Sequence, residues 1–290
     1  MSLRATIWGA RGSIPAPGPD TARYGGNTAC VSVELPESAS GRVIILDAGT
    51  GIRNLGRKLA EAEKPVDVDL VVSHTHWDHI QGLPFFAPLF ADGSRVRIWG
   101  AKQGDVDLET ILREQMNPVV FPVPLDGLAA ELQVVHVGEG EFELDGCLVS
   151  VMRVRHPGHT LGLRLQPTEG GPSLAYVTDN EVGSGGNYEV GSDWRDRFIK
   201  FLDGVDTLIH DSMYTEEEVK KYSGWGHSSF VEAVDVAAEA GAKRLVLFHH
   251  NPDHDDEAVD KLLSEARAVA AERAGNLDVI AGCEGMELNI

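Results

Sequence analysis

Cysteine is scarce in this chain: Cys30, Cys147 and Cys283 are the only three in 290 residues, and no two form a CxxC pair. An odd, unclustered set offers no disulfide framework and no cysteine-based zinc site, and it fits a reducing compartment in which buried thiols stay free. Long apolar runs are lacking too. None approaches the roughly 20 residues that a membrane-spanning helix needs. The opening stretch MSLRATIWGARG has no apolar h-region of a secretory signal. The cytoplasm is therefore the expected location, with no membrane partner. Positive charge is short as well. Lys and Arg number 25 against 45 Asp and Glu, a formal net charge of −20. A field of that sign repels long polyanions and disfavours a general nucleic-acid binder, which needs a basic face. It still admits a small anionic substrate, because a local metal charge overrules a distant field.

Repeats and low-complexity linkers are also absent, so one domain spanning 1–290 is expected. Hydrophobic residues at 42% and charged residues at 24% describe a globular chain. Strand-like runs occupy 4–9, 29–35, 42–49, 66–73 and 95–100, with a Gly- and Pro-punctuated loop over 10–26. The spacing of Ile52, Leu55 and Leu59 predicts a helix over 51–63, and another is expected at 105–116. The second half repeats the logic. ELQVVHVG, CLVSVMRVRH, LGLRLQ and SLAYVTDN are strand-like, and short apolar runs at 205–212 and 243–250 end in polar side chains. Ser228 or Ser229 is placed to cap a helix over 229–241, a long helix is expected over 255–274, and short strands close at 277–281 and 286–290. This is an α/β pattern of sheet and helix layers, whose topology periodicity alone does not decide.

What the chain does have is chemistry at 73–79. His74, His76, Asp78 and His79 place four potential metal ligands within six residues, directly after an apolar strand. Imidazole and carboxylate suit zinc and similar divalent ions. A tight loop can turn His74 and His76 toward one ion and Asp78 and His79 toward another. One loop cannot close two sites, and further candidates stand where strand-like runs end: His156, Asp179 and His249.

With YGGNTACVSVE, LDAGTGI, SHTHWDHI, RHPGHTLGLRL, YVTDNE, HDSMY, GHSSF and LVLFHHNP, the chain resembles the metallo-β-lactamase superfamily. Within it, the chain is most similar to the branch of ribonuclease Z and small cyclic-phosphodiesterase-type hydrolases. The resemblance implies a four-layer αβ/βα sandwich holding two divalent ions, zinc with manganese or iron as alternatives. It implies that His74, His76 and His156 hold the first ion, that Asp78, His79 and His249 hold the second, and that Asp179 bridges them. It makes Asp78 an orienter of the attacking hydroxide. It makes His227 the group that assists phosphate and leaving group, and Asp211 its acidic partner. Two positions stay open. The family spacing to Gly162 selects His156, whereas a thiolesterase-like reading of GHTLG selects His159. His249 and His250 are neighbours that point to opposite faces of a strand, and alignment on LVLFH selects His249. His250 and His254 then read as supporting or surface groups, His136 as a structural mid-strand residue, and His210 as a buried strand end.

The implied activity is hydrolysis of a small, cyclic-nucleotide-like phosphodiester by metal-activated hydroxide. The alternatives are a thiolester or lactone hydrolase and, in another class, a non-catalytic metal-binding sensor or partner protein. A ribonuclease Z activity on tRNA precursors lacks a long Gly- and Lys-rich arm between the histidine cluster and His156. Arg11 is the natural anion-binding candidate of the 10–26 loop, Trp77, Phe85 and Phe86 are candidate pocket walls, and a homodimer is the default assembly.

Overall fold

The computed structural model describes residues 2–35, 42–183 and 185–290. Seven strands build the first sheet: β1 (Arg4–Gly9), β2 (Cys30–Glu34), β3 (Val43–Leu46), β4 (Asp67–Val72), β5 (Arg95–Gly100), β6 (Glu131–His136) and β14 (Glu287–Asn289). Their order is β14-β1-β2-β3-β4-β5-β6. The second sheet holds β7 (Gly140–Leu144), β8 (Cys147–Arg153), β9 (Leu161–Pro167), β10 (Leu174–Val177), β11 (Thr207–Asp211), β12 (Arg244–Phe248) and β13 (Asp278–Ala281). It runs in the order β13-β12-β11-β10-β9-β8-β7. In each sheet the strands at one end pair antiparallel, while β3 to β6 and β10 to β13 pair parallel.

Parallel neighbours need crossovers, and helices supply most of them. The helices are α1 (Ile52–Ala60), α2 (Trp77–Ile80), α3 (Leu108–Gln115), α4 (Trp194–Leu202), α5 (Glu216–Lys221), α6 (Phe230–Glu239) and α7 (Asp256–Arg273). Side chains alternate across a strand, and here that sorts them into different cores. On β4, Leu70 faces the helices α1 and α3, while Val71 faces the other sheet. On β12, Leu245 faces α6 and α7, while Val246 meets the first sheet. The inner core joins both sheets through Ile7, Val31, Leu46, Leu163, Tyr176 and Phe248. Strands buried on both faces read as continuous apolar runs rather than alternating ones, which is the pattern of DLVV and RLVLF. The expected four layers of helix, sheet, sheet and helix are present.

Local signals were accurate where they were strong. Ser229 caps α6, its side chain accepting from the Glu232 N–H while the Glu232 carboxylate takes the Ser229 N–H, a full capping box. Asp255 caps α7 by accepting from Ala258 N. Strand β7 and helices α4 and α5 had no expectation attached. EFELDG alternates only weakly beside the stronger β8, and α5 is a short polar helix with no buried residue. His136 is the exposed last residue of β6, not a structural mid-strand group.

Candidate metal centre

The parallel strands of both sheets deliver polar residues at their C-terminal ends, where open α/β sheets characteristically bind ligands. His74 follows β4, Asp179 follows β10, Asp211 ends β11 and His249 follows β12. His74, Asp179, Asp211 and His249 are buried, as are Asp78 and His79, while His76 is exposed. The exposed imidazole gives one side of the cluster to solvent.

Three groups of potential ligand atoms each lie within 4.8 Å of one another: His74, His76, His156 and Asp179; Asp78, His79, Asp179 and His249; and Asp211, His227 and His249, the first two of which share Asp179. Asp179 serves both with different oxygens. Its Oδ2 lies 3.7 Å from His74 Nε2 and 3.5 Å from His156 Nε2. Its Oδ1 lies 3.1 Å from His79 Nε2 and 3.2 Å from His249 Nε2. Asp78 Oδ2 is 3.1 Å from both His79 Nε2 and His249 Nε2.

For His79 and His156 the other ring nitrogen is committed outside the cluster, which fixes the direction of the remaining lone pair. His79 Nδ1 donates to Asp47 Oδ2 at 2.8 Å, and His156 Nδ1 donates to the Gly226 carbonyl at 2.8 Å. A ring that donates from Nδ1 presents Nε2 as its free nitrogen. The buried Nε2 atoms of His74 and His79 have no hydrogen-bond partner. Buried nitrogens left unpaired beside carboxylates are costly without a further group, and a divalent cation is the group that this nitrogen and oxygen set fits. Burial and the neighbouring His79 hold His74 well below the usual imidazole range, and burial takes His156 down to about 4. Both are thereby kept in the neutral form that ligates metal. Burial opposes ionisation of Asp179, but the surrounding His249, His79, His74 and His156 hold it well below the usual carboxylate range.

His227 stands against the first two groups, its ring centroid 5.1 Å from those of His156 and His249. Its Nδ1 is 2.7 Å from Asp211 Oδ2. Burial works against its charge, yet Asp211, with Asp179 and Asp78 behind it, pushes the imidazole up to about 9. Asp211 is itself oriented by the N–H groups of Met213 at 3.0 Å and Ser228 at 3.3 Å.

A family model described as "Beta-lactamase superfamily domain" matches residues 42–250. The chain belongs to the metallo-β-lactamase superfamily. An uncharacterized protein of Mycobacterium tuberculosis is 28% identical to it over 270 residues, covering 92% of this chain and 87% of that protein. A ribonuclease Z of Aeropyrum pernix is 26% identical over 287 residues, covering 86% of this chain and 89% of its own. Among solved structures, unliganded yeast PDE1 superposes with a TM-score of 0.72 at 15% identity, covering 100% of this chain and 99% of its own, a likeness of fold.

Within this superfamily member, every expected ligand position falls in one of the first two groups. Of the open pair, His156 joins His74 and His76, while His159 is in none of the groups and is pinned at its backbone by Gln103. His250 points elsewhere, its Nε2 on the Gly282 carbonyl at 2.8 Å, and His254 Nε2 meets Glu218 at 2.9 Å. His210 is buried at the end of β11, as expected. Arg11 is a correction. Its guanidinium is fully buried, with Nε and Nη1 donating to the carbonyls of Gly25, Asn251 and His254 at 2.9, 3.0 and 2.6 Å, so it ties the first loop to the segment after His249 instead of facing an anion in the open. Phe86 is core, whereas Trp77 and Phe85 are exposed.

Two supporting residues went unread in the sequence. Asp47 accepts from Ser73 N, Ser73 Oγ, Tyr176 Oη and His79 Nδ1, at 2.7, 2.8, 2.9 and 2.8 Å. Glu181 accepts from Gly224 N and Gly226 N at 2.9 and 3.1 Å, and so holds the turn that holds His156. The available signals were carboxylates inside LDAGTG and YVTDNE, segments with no other need for charge. Asp47 and His249 also adopt left-handed backbone at φ 61°. Such strain costs non-glycine residues about 1–3 kcal/mol each and concentrates at functional sites.

Proposed function

We propose that this chain is a dinuclear metal-dependent phosphodiesterase acting on a small, cyclic-nucleotide-like substrate. The observation that carries the reading is the Asp211–His227 pair, 2.7 Å apart and set against both ligand groups. Hydrolysis at carbon needs no such pair, whereas departure of an alkoxide from phosphorus needs a proton donor.

His74, His76, His156 and Asp179 would hold one ion, and Asp78, His79, Asp179 and His249 the other, with zinc favoured by the nitrogen-rich set and manganese or iron compatible. The chemistry such ions supply when bound is Lewis acidity toward the phosphate oxygens and a lowered pKa for water. Asp78 is oriented by the Ser13 N–H at 2.8 Å, which keeps its Oδ2 directed at His79 and His249. The Nδ1–H of His227 donates a hydrogen bond to Asp211, so the Nε2 proton is the one available to the departing oxygen. With its pKa pushed up to about 9, His227 is protonated at neutral pH and ready to donate. The net charge of −20 favours a small substrate over a long polyanion, and the name of the ribonuclease Z relative supports the phosphodiester class.

Hydrolysis of bis(p-nitrophenyl) phosphate, measured beside a thiolester and a lactone on protein of known metal content, tests the reading. Phosphodiester turnover is expected, falling by about 10²–10⁴-fold in His227→Ala with metal content retained. Turnover of the carbon esters alone, undiminished in His227→Ala, would replace it with the thiolester or lactone hydrolase. Full metal occupancy with no turnover of any substrate would favour a non-catalytic binding protein.

A further inference from the structure

Beside His156 a recess of about 510 Å³ opens to solvent, and its wall carries Lys102, His136, Arg153 and His159 with Glu189 as the facing acid. Lys102 and Arg153 set two cations against one acid on this wall, in a chain of net charge −20, while burial and Arg153 hold the His159 imidazole below its usual range and so neutral. Lys102 is exposed, and Asp107 lies close enough to interact with its charge. Arg153 reaches Glu189 at 3.3 Å, and the Glu189 side chain is 90% exposed. An exposed partner of that kind contributes little and is easily displaced, so its carboxylate marks where an incoming anion would sit. Glu139, close by, is engaged by Arg197 at 2.6 Å.

The wall is also built, not incidental. Gln103 donates from Nε2 to the His159 carbonyl at 2.9 Å and accepts from the His159 N–H at 2.8 Å. This clamp ties the loop that carries Lys102 to the turn that carries His156. His159 Nε2 is buried there without a hydrogen-bond partner. Neither Lys102 nor Arg153 has a part in the reaction described above.

We propose that this recess binds a second phosphate, so that the preferred substrate is a small phosphodiester carrying one further phosphate group. The proposal rests on the phosphodiesterase reading for the position of the scissile diester, next to His156. An ammonium and a guanidinium give a phosphate charge-assisted hydrogen bonds, whereas a substrate with a single phosphate leaves the recess unfilled.

The probes are the dinucleotides pApA and ApA, which share one diester and differ by a terminal phosphate. Their kcat/KM values are compared on metal-loaded enzyme, and their binding to the full-length Asp179→Ala protein is measured by calorimetry, without turnover. A preference for pApA of roughly tenfold or more is expected in both measurements. The pApA:ApA ratio is expected to fall toward one in Lys102→Ala, where an exposed side chain is removed, and in Arg153→Gln. Equal affinity and equal kcat/KM for the two dinucleotides in the unaltered recess overturn the proposal, as does a preference that survives both substitutions. If neither the dinucleotides nor bis(p-nitrophenyl) phosphate is hydrolysed but pApA still binds more tightly in a Lys102-dependent way, the recess stands and the phosphodiesterase reading falls.

Discussion

Asp179 presents Oδ2 to His74 and His156 and Oδ1 to His79 and His249, so a single carboxylate serves two groups of imidazoles. Its removal should therefore be felt twice. Asp179→Ala is expected to lower bound metal, measured by atomic emission on protein purified in excess zinc, and to reduce hydrolysis by more than about 100-fold, the upper end of what loss of a supporting group costs. Wild-type metal content in that variant would contradict the assignment. Asp47 acts one step further out, through His79 Nδ1. Asp47→Asn keeps an acceptor but loses the charge that orients the ring. Metal affinity measured against a competing chelator should weaken by about 10–100-fold, with near-wild-type circular dichroism separating this from unfolding.

At the level of elements, the site depends on how strands and helices stop. Polar residues follow the parallel strands at their C-terminal ends, and the 224–229 segment between α5 and α6 brings Gly226 to His156 and His227 to Asp211. Gly226 has a φ of 88°, and a Cβ there would lie 2.1 Å from His156 Nδ1. Gly226→Ala is expected to displace His156, so metal stoichiometry should fall while the fold persists; full stoichiometry would show that the carbonyl contact is dispensable. Ser229 works differently, since its contribution is to helix α6. Loss of its capping box in Ser229→Ala should cost about 1 kcal/mol, read as a lower urea midpoint with an unchanged slope.

For the whole molecule, the inner core has contributors from both sheets, Leu46 and Val71 on one side and Leu163, Val246 and Phe248 on the other. Neither sheet can cover that face alone. We propose that 1–290 folds as one unit, and that separately produced 1–138 and 139–290 will be insoluble or lack a cooperative thermal transition. An independent transition in either half would refute this. The candidate metal groups draw residues from both halves, since His74 and His79 lie in the first and Asp179 and His249 in the second. Binding that requires the folded state stabilises it. A chelator should therefore lower the thermal midpoint, and restored zinc should raise it again; an unchanged midpoint would indicate that the site is empty or energetically uncoupled.

Sequence by itself determined what depends on neighbours along the chain. The apolar runs of the buried strands, the Ser229 and Asp255 caps, and the packing of four candidate ligands into 74–79 are all local, and each is legible because a few adjacent residues decide it. Ligand candidates at strand ends were legible for the same reason. Tertiary structure alone decided what depends on distance across the fold. His156 rather than His159 meets His76 because β8 ends three residues early and the chain turns there, a choice made across 80 positions of sequence. Arg11 turned inward because three backbone carbonyls converge on it from segments far apart in the chain. Asp47 and the Lys102–Arg153 wall carry no local pattern at all. Their partners arrive only when the loops after separate strands are packed against one another, and periodicity reports nothing about such meetings.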